Sequence, residues 1–397
     1  NGFEDNMILE LDHLGIKKFI KYDGGVEFNG TLEDVYKINS YKTIILIEIE
    51  TDNGIKGFGE SIATPSPEGI KAFIDLASSY IVGEDVYENQ RLMKKCYHSL
   101  FQAHGTCSAP RFGAQILAGI EMALWDLAGK IVDKSVHELL GGKLRDRIEY
   151  FGFIQGNTAE ELALDAKKLS KKGHKVIYGK IGRDEFIDFE IVSKVREAVG
   201  EDVRLRFDPN EAWDISTAKR MISKLSKFSI EMIEQPCDHM NINILKQIKD
   251  LNKVSIGVDQ SVFNLNDLFQ IAYLQAADLV VLGIHETGGI AGLKKAAAVA
   301  ESAGLNICIH GLHETGITTC ASNQVAATLP NLDDGNQYMN HLLESDIIQA
   351  PDLSLFEGSL PTLDGPGLGF KIDEEAVKEA EERYKNHKKL VNNNSYV

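Results

Sequence analysis

Cysteine is scarce and unpatterned. Five residues, at 96, 107, 237, 308 and 320, form no Cys-x-x-Cys pair, and their number is odd. That excludes a disulfide framework and predicts a reducing, cytoplasmic setting. Basic charge is short as well: 42 Lys and Arg face 59 Asp and Glu, for a net charge of −17. The deficit excludes nucleic acid and anionic membrane surfaces as bulk partners. It leaves room for a small anionic ligand, since a metal or a few local cations reverse the sign inside a pocket. Long apolar runs are missing too. The longest, such as Ile44-Ile45-Leu46-Ile47 and Leu279-Val280-Val281-Leu282, are strand-sized and far below a membrane span. The opening Asn1-Gly2-Phe3-Glu4-Asp5-Asn6 has neither a basic nor an apolar leader region, so no signal peptide is expected. No glycine fingerprint follows an early strand, which argues against a dinucleotide-binding open sheet.

What is present is the composition of a globular protein, 43% hydrophobic and 25% charged, in a chain of 397 residues, enough for one large or two ordinary domains. Residues 8–60 read as a small antiparallel sheet, with Tyr41–Ile49 as one strand, Asp52-Asn53-Gly54 as the turn and Lys56–Glu60 as the return. Residues 67–140 read as helical. The clearest helix, near 112–131, carries Ile116, Ile120, Ala123, Leu124 and Leu127 at helical spacing, and its small residues allow close packing. From about 147 short apolar segments alternate with amphipathic ones. Six of these segments end at Lys180, Asp208, Glu234, Asp259, Gly283 and His310, each 24 to 28 residues after the one before. One βα unit uses about that length, so the run predicts a (β/α) barrel. The tail 374–397 reads as a charged helix.

A barrel does its chemistry at the C-terminal ends of its strands. Here three successive ends carry carboxylates, Asp208, Glu234 and Asp259, with Lys180 before them and His310 after. Acids also occur just past strands as loop residues or helix N-caps. Three hard oxygen ligands on neighbouring strands suit Mg²⁺ better than Zn²⁺, because no His or Cys joins them. Asn210, two residues past Asp208, projects to the same side and is placed for a metal-bound water or a substrate oxygen. A metal between a Lys and a His has a natural use: it binds a carboxylate and stabilises the dianion formed when the α-proton leaves. The Lys must be neutral to act as base, and a cation and partial burial both lower its pKa.

These pieces together resemble the enolase superfamily, in its mandelate racemase and muconate lactonizing enzyme branches. The residues that carry the resemblance are Gly173–Gly182 with Tyr178-Gly179-Lys180, Asp208-Pro209-Asn210, Ile233-Glu234-Gln235-Pro236, Gly257-Val258-Asp259-Gln260-Ser261, Gly288-Gly289-Ile290 and His310-Gly311-Leu312-His313-Glu314. Ala123-Leu124-Trp125-Asp126-Leu127-Ala128-Gly129-Lys130 resembles the helix before the family's barrel. The resemblance spans nearly the whole chain. It implies an α/β fold: an α+β capping domain over residues 1–142, a (β/α)7β TIM-like barrel over 143–355, and a segment 356–397 that returns to the cap. It also implies Mg²⁺ on Asp208, Glu234 and Asp259, with Lys180 as base and His310 as the second acid–base group. Glu314 matches a family acid that bonds substrate or caps the next helix, and Glu344 is a further substrate-binding candidate after the eighth strand.

Two positions depart from the family pattern. Where a first Lys is usual there is Tyr178, which reads as an acid, a hydrogen-bond donor or barrel filling. Where the sixth strand usually ends in Lys or in an Asp that orients the His, there is Gly283, so His310 is expected to lack its partner. His285, two residues on, is either a group aimed at the same space or a polar loop histidine. One strong base and one acid suffice for dehydration, so the expected reaction is loss of water from an aldonate or aldarate to give a 2-keto-3-deoxy acid. Racemisation, epimerisation or cycloisomerisation of a small carboxylate is the alternative, and a carboxylate-binding relative with impaired turnover is the third reading. The expected partner is a small-molecule carboxylate, with no nucleic acid and no membrane, and the resemblance implies a homo-oligomer. By the same resemblance specificity belongs to a cap loop near Gly24–Asp34, with Tyr22, Glu27 and Asn29 close by; Arg111 and Arg183 are possible anchors for a second carboxylate.

Overall fold

The computed structural model of the chain describes residues 19–22, 25–28, 43–63, 66–103, 110–311 and 314–394. Of the expected cap loop, only the backbone of 25–28 falls within them. Asn29, the side chains of Tyr22 and Glu27, and His313 lie outside the described residues.

Two antiparallel hairpins come first, β1 (Phe19–Tyr22) with β2 (Gly25–Phe28) and β3 (Ile44–Glu50) with β4 (Lys56–Ile62). Helices α1 (Pro67–Ser78), α2 (Asn89–Tyr97), α3 (Pro110–Val132) and α4 (Val136–Leu139) follow and complete an α+β cap. The β3–β4 turn forms where expected, with Gly54 at φ 82. Helix α3 belongs to two cores. Ile116, Ile120, Ala123 and Leu124 pack with the cap, whereas Ala118 and Met122 pack with the barrel. Strand β4 lies directly on α3: a Cβ on Gly59 would stand 2.0 Å from the carbonyl oxygen of Gly119. This close approach is what the small residues of the helix permit.

After β5 (Arg147–Glu149) the barrel begins. Its strands are β6 (Gly152–Phe153), β7 (Val176–Lys180), β8 (Arg204–Asp208), β9 (Met232–Glu234), β10 (Ser255–Val258), β11 (Leu279–Leu282) and β12 (Asn306–Ile309). They form one sheet in sequential order with every pair parallel. The helices between them are α5 (Ala159–Lys171), α6 (Glu185–Val199), α7 (Ile215–Leu225), α8 (Ile242–Lys249), α9 (Leu265–Leu274), then α10 (Ile284–Thr287) and α11 (Ile290–Ser302) after β11, and α12 (Gly316–Ala327) after β12. An irregular eighth stave closes the ring. Leu332 bridges Ile307 and Asn336 bridges Tyr150, both in parallel sense. The fold is a (β/α)7β TIM-like barrel under an α+β cap. Beyond it, β13 (Ile348–Ala350) pairs with β15 (Lys371–Ile372), β14 (Ser359–Pro361) pairs with β5, and α13 (Glu374–Asn394) lays Val377 and Ala380 on the main core.

The six strand ends read from the sequence coincide with β7 to β12. Alternation along each strand sends one set of side chains inward. Met232, Leu279, Val281 and Cys308 fill the barrel beside the cluster of Phe151, Val176 and Tyr178. Arg206 lies among them, fully buried, with Nε 2.6 Å from Glu231 and a terminal nitrogen 2.7 Å from Asp333 of the closing stave. Asp208 is the next inward position on the same strand. The four described cysteines are buried and free. No helix among the described residues is long and apolar enough to cross a membrane.

Cap and barrel are locked by polar groups of α3. Helix α11 opens on Gly289, which offers no capping side chain. Glu121 supplies the acceptor, taking the N–H groups of Ile290 at 2.8 Å and Ala291 at 3.0 Å, together with the Trp125 indole at 2.7 Å. Gly289 sits at φ 123, and a Cβ there would stand 2.3 Å from Glu121 Oε2, so only glycine serves. A buried donor stripped of its acceptor costs about 1–3 kcal/mol. Glu121→Ala is expected to lower unfolding free energy by roughly 2–4 kcal/mol, and Glu121→Gln, which keeps one acceptor, by less. Denaturant midpoints at unchanged m-value check this; an Ala variant as stable as the parent refutes the lock.

Candidate active site

Asp208, Glu234 and Asp259 end three consecutive strands, or follow them directly, and are 0%, 2% and 4% exposed. Burial pushes the Glu234 carboxyl up, and neighbouring Asp208 pushes it further. Each flank of the trio is met by a cation. Lys180 is cross-strand partner to Asp208, and its Nζ is paired with Asp208 Oδ2. Arg111 arrives from the cap helix α3 with a terminal nitrogen 2.7 Å from Asp259 Oδ1. His310 lies on the same side, its Nε2 3.9 Å from Asp259 Oδ2.

Tyr178 is buried, stacked face to face on Phe151 at 4.3 Å, and donates its hydroxyl to Asp208 Oδ2 at 2.7 Å. Lys180 Nζ lies 3.2 Å from that hydroxyl. Burial, and then Asp208, hold the phenol far above its usual pKa. Tyr178 is therefore a neutral donor in this arrangement. Lys180 is 44% exposed along its side chain. Burial alone would lower its pKa, but Asp208 and Glu234 outweigh burial and the net direction is up. The cause is plain: the carboxylates that attract a cation also hold the ammonium charged, and the expected lowering belongs to the site with a divalent cation beside it.

His310 has a carboxylate partner after all. Its Nδ1 is 2.9 Å from Oε1 of Glu286, a buried residue on α10. Burial would lower the imidazole pKa, yet Asp259 and Glu286 override it and hold it up at about 9. Strand periodicity points two residues past Gly283, to His285. The chain instead turns into helix there, and one helical turn brings residue i+3, Glu286, over the strand end. His285 is 1% exposed and bonded to Thr318 Oγ1 at 3.1 Å. The expectation that it joins the site is corrected: it lies sealed at the helix layer.

The remaining sequence candidates divide. Asn210, at φ 45, caps Asp208 through its backbone N–H at 2.6 Å, while its side chain is exposed. Glu314 is buried at the start of the segment that leads to α12. Glu344 is exposed and shares no hydrogen bond or ion pair with the trio among the described residues. Arg183 is exposed and bonds the Asn157 carbonyl at 3.0 Å, and Arg111 is engaged by Asp259. Gln235 is part of the Glu234 motif, but the sequence reading assigns it no role there. Buried between two ligand strands, its side chain accepts from the N–H groups of Asp259 at 3.2 Å and Ser261 at 3.1 Å and donates to Ser261 Oγ at 2.8 Å.

Three buried carboxylates with hard oxygen donors fit a divalent cation, and burial together with their crowding explains why Glu234 resists ionisation. Among the described residues, the donor set gathered closely enough to share one ion is a different one, Glu211, Asp238 and His239. That set is partly exposed, and Glu211 is already bonded to His239 at 2.7 Å. In the barrel, Asp208 turns to Lys180 and Tyr178 while Asp259 turns to Arg111, which spreads the oxygens. Both sets offer hard oxygen donors, and the barrel trio is the more deeply buried of the two.

Residues 161–376 match the family model described as enolase C-terminal domain-like, and residues 36–141 match the N-terminal domain of mandelate racemase and muconate lactonizing enzyme. The chain belongs to the enolase superfamily, in the mandelate racemase and muconate lactonizing enzyme branch. It is 32% identical over 351 residues to chloromuconate cycloisomerase from Cupriavidus pinatubonensis (strain JMP 134 / LMG 1197), covering 85% of this chain and 91% of that protein. L-Ala-D/L-Glu epimerase from Bacillus subtilis (strain 168) is 28% identical over 353 residues, covering 86% and 92%. The solved muconate lactonizing enzyme from Pseudomonas putida superposes with a TM-score of 0.78 at 28% identity, covering 85% of this chain and 94% of that one. The chain is thus an enzyme of a superfamily whose reactions begin by removing the proton α to a carboxylate and whose members generally use Mg²⁺.

Burial, aided by the charge of His310 and opposed by Glu286, holds His285 down at about 4. Its folded pKa lies below its unfolded value of about 6.5, so the unfolded chain binds the extra proton between the two. Stability tied to the neutral ring is complete above pH 6.5 and drains away as pH falls toward 4. Between pH 7 and pH 5 the parent is expected to lose about 2 kcal/mol more than His285→Gln. Urea midpoints at both pH values test this; parallel losses in the two proteins contradict the sealed position.

Proposed function

We propose that the enzyme is an isomerase that racemises or epimerises a small carboxylate by carrying the α-proton from one face to the other. One observation carries the reading. Two proton-bearing side chains flank the carboxylate trio on opposite sides, Lys180 at Asp208 and His310 at Asp259. A 1,1-proton transfer needs a competent group on each face, and the Glu286 partner makes His310 competent.

Asp208, Glu234 and Asp259 are the residues to hold Mg²⁺, which supplies positive charge for a substrate carboxylate and its developing dianion. Lys180 Nζ would take the α-proton from its neutral amine form, which positive charge held by the trio would favour, and the electron pair of the broken C–H bond would move into the carboxylate. His310 Nε2 delivers a proton to the opposite face, and the roles exchange in the reverse direction. Tyr178 holds Asp208 by its hydroxyl, and Gln235 fixes the backbone that bears Asp259. Isomerases among the relatives support the class. Gly283 stands where the muconate-type enzymes carry a Lys, which favours epimerisation over cycloisomerisation. A second reading, dehydration of a sugar acid, is favoured by the imidazolium, since His310 held protonated is suited to protonate a departing β-hydroxyl.

The test is proton exchange in D₂O with Mg²⁺ across pooled dipeptides, N-acyl amino acids and aldonic acids, read by NMR. Inversion with deuterium uptake and no ketoacid is expected. Lys180→Met should cut exchange about 10²–10⁴-fold, and chelation should abolish it. His310→Asn should retain exchange of the isomer that presents its proton to Lys180 while losing inversion. A ketoacid product selects dehydration, and no exchange with any pool overturns the isomerase reading.

A further inference from the structure

The contact between His310 and Glu286 has a steric counterpart at Gly283. Gly283 has φ −119, a conformation open to any residue, so its backbone does not call for glycine. Space does. A Cβ at this position would lie 2.6 Å from Glu286 Oε2 and 2.8 Å from the His310 carbonyl oxygen. Helix α10 starts on the following residue, and its first turn folds Glu286 back over the strand end.

We propose that Glu286 is the positioning residue of His310, and that this chain carries the orienting carboxylate one helical turn beyond the sixth strand, in space that only glycine at 283 leaves open. The ring geometry supports it. With Nδ1 turned to Glu286 Oε1, Nε2 is the nitrogen on the side of the carboxylate trio. A neutral imidazole has one N–H, and a carboxylate at Nδ1 fixes it there, so the lone pair sits on Nε2. Glu286 is buried, and besides His310 the groups facing it are the Arg111 guanidinium and the neutral His285 ring. Behind it a chamber of about 410 Å³ opens between the cap and the barrel, lined by Tyr97, Leu117, Leu268 and Leu282 as well as Glu286. Loss of the Glu286 side chain would open the imidazole to this chamber.

The proposal deepens the isomerase reading and rests on it for the role of His310, so its test has two arms. The first needs no substrate. In histidine-labelled protein assigned with His310→Gln, the downfield Nδ1–H proton of His310 is expected in the parent and absent from Glu286→Ala. The second uses exchange in D₂O. Glu286→Ala should keep Lys180-face exchange within about twofold and lose His310-face exchange by about 10- to 100-fold. Formate or acetate, entering through the chamber, should restore part of that loss. Glu286→Gln preserves volume and a weaker acceptor, so it should show an intermediate loss, and it carries the test if the Ala variant does not fold. An unchanged Nδ1–H signal in Glu286→Ala, equal loss on both faces, or no loss overturns the proposal. Absence of exchange in the parent overturns the isomerase reading while the spectroscopic arm still decides the placement of Glu286.

Discussion

Three carboxylates on adjacent strands, withdrawn from water, are the constraint around which the rest of the molecule is arranged. Two unit charges about 5 Å apart repel by roughly 3 kcal/mol at an effective dielectric of 20, so carboxylates gathered on neighbouring strand ends are costly without countercharge. Charge of the opposite sign must therefore converge on the barrel mouth. It arrives from three sources: Lys180 on the second strand, His310 on the seventh, and Arg111 from the cap, 148 residues from its partner Asp259. The same field explains why Lys180 is pulled toward its charged form and why a phenol, fully buried against Asp208, stays protonated.

The cap is bound to this arrangement through groups that are themselves costly to bury. Glu121 caps α11, Asp126 accepts the N–H groups of Phe58 at 2.9 Å and Leu368 at 2.9 Å, and Glu60 accepts the N–H of Thr315 at 3.0 Å. Burial pushes Glu60 and Glu121 each up to about 7. At Gly289 the acceptor meets backbone donors where the barrel has no capping side chain of its own to offer. Arg111 thus reaches Asp259 from a helix whose position is fixed on several independent contacts, which is what a charge acting at a distance from its own domain needs.

Much of the site was legible because two periods coincide. A repeat of 24 to 28 residues places the strand ends, and alternation by two decides which residue of each end faces inward. Lys180, Asp208, Glu234, Asp259 and His310 all follow from these two rules. The rules fail where the backbone is not a strand. The first barrel strand is two residues long, and the eighth stave pairs through isolated bridges, so neither leaves an apolar alternation to read. Glu286 was passed over because a period of two selects His285, while the chain had already entered a helix. Gln235, though it lies inside the Glu234 motif, works through amide contacts to the next strand's backbone, which neither period announces.

The two departures from the family pattern at 178 and 283 are best understood together as a redistribution of charge. Tyr178 removes a cation from the Asp208 side and substitutes a neutral donor that still satisfies one carboxylate oxygen. Gly283 removes a side chain from the sixth strand, and Glu286 returns a carboxylate to the same space from a different backbone position. Lys180 is then the sole amine bonded to Asp208 among the described residues, and His310 is held between two acids, Asp259 and Glu286. An amine on one flank and a buttressed imidazole on the other make an asymmetric pair. A reaction that passes one proton between unlike groups uses that asymmetry directly: each face has its own proton affinity, and the carboxylates between them set both.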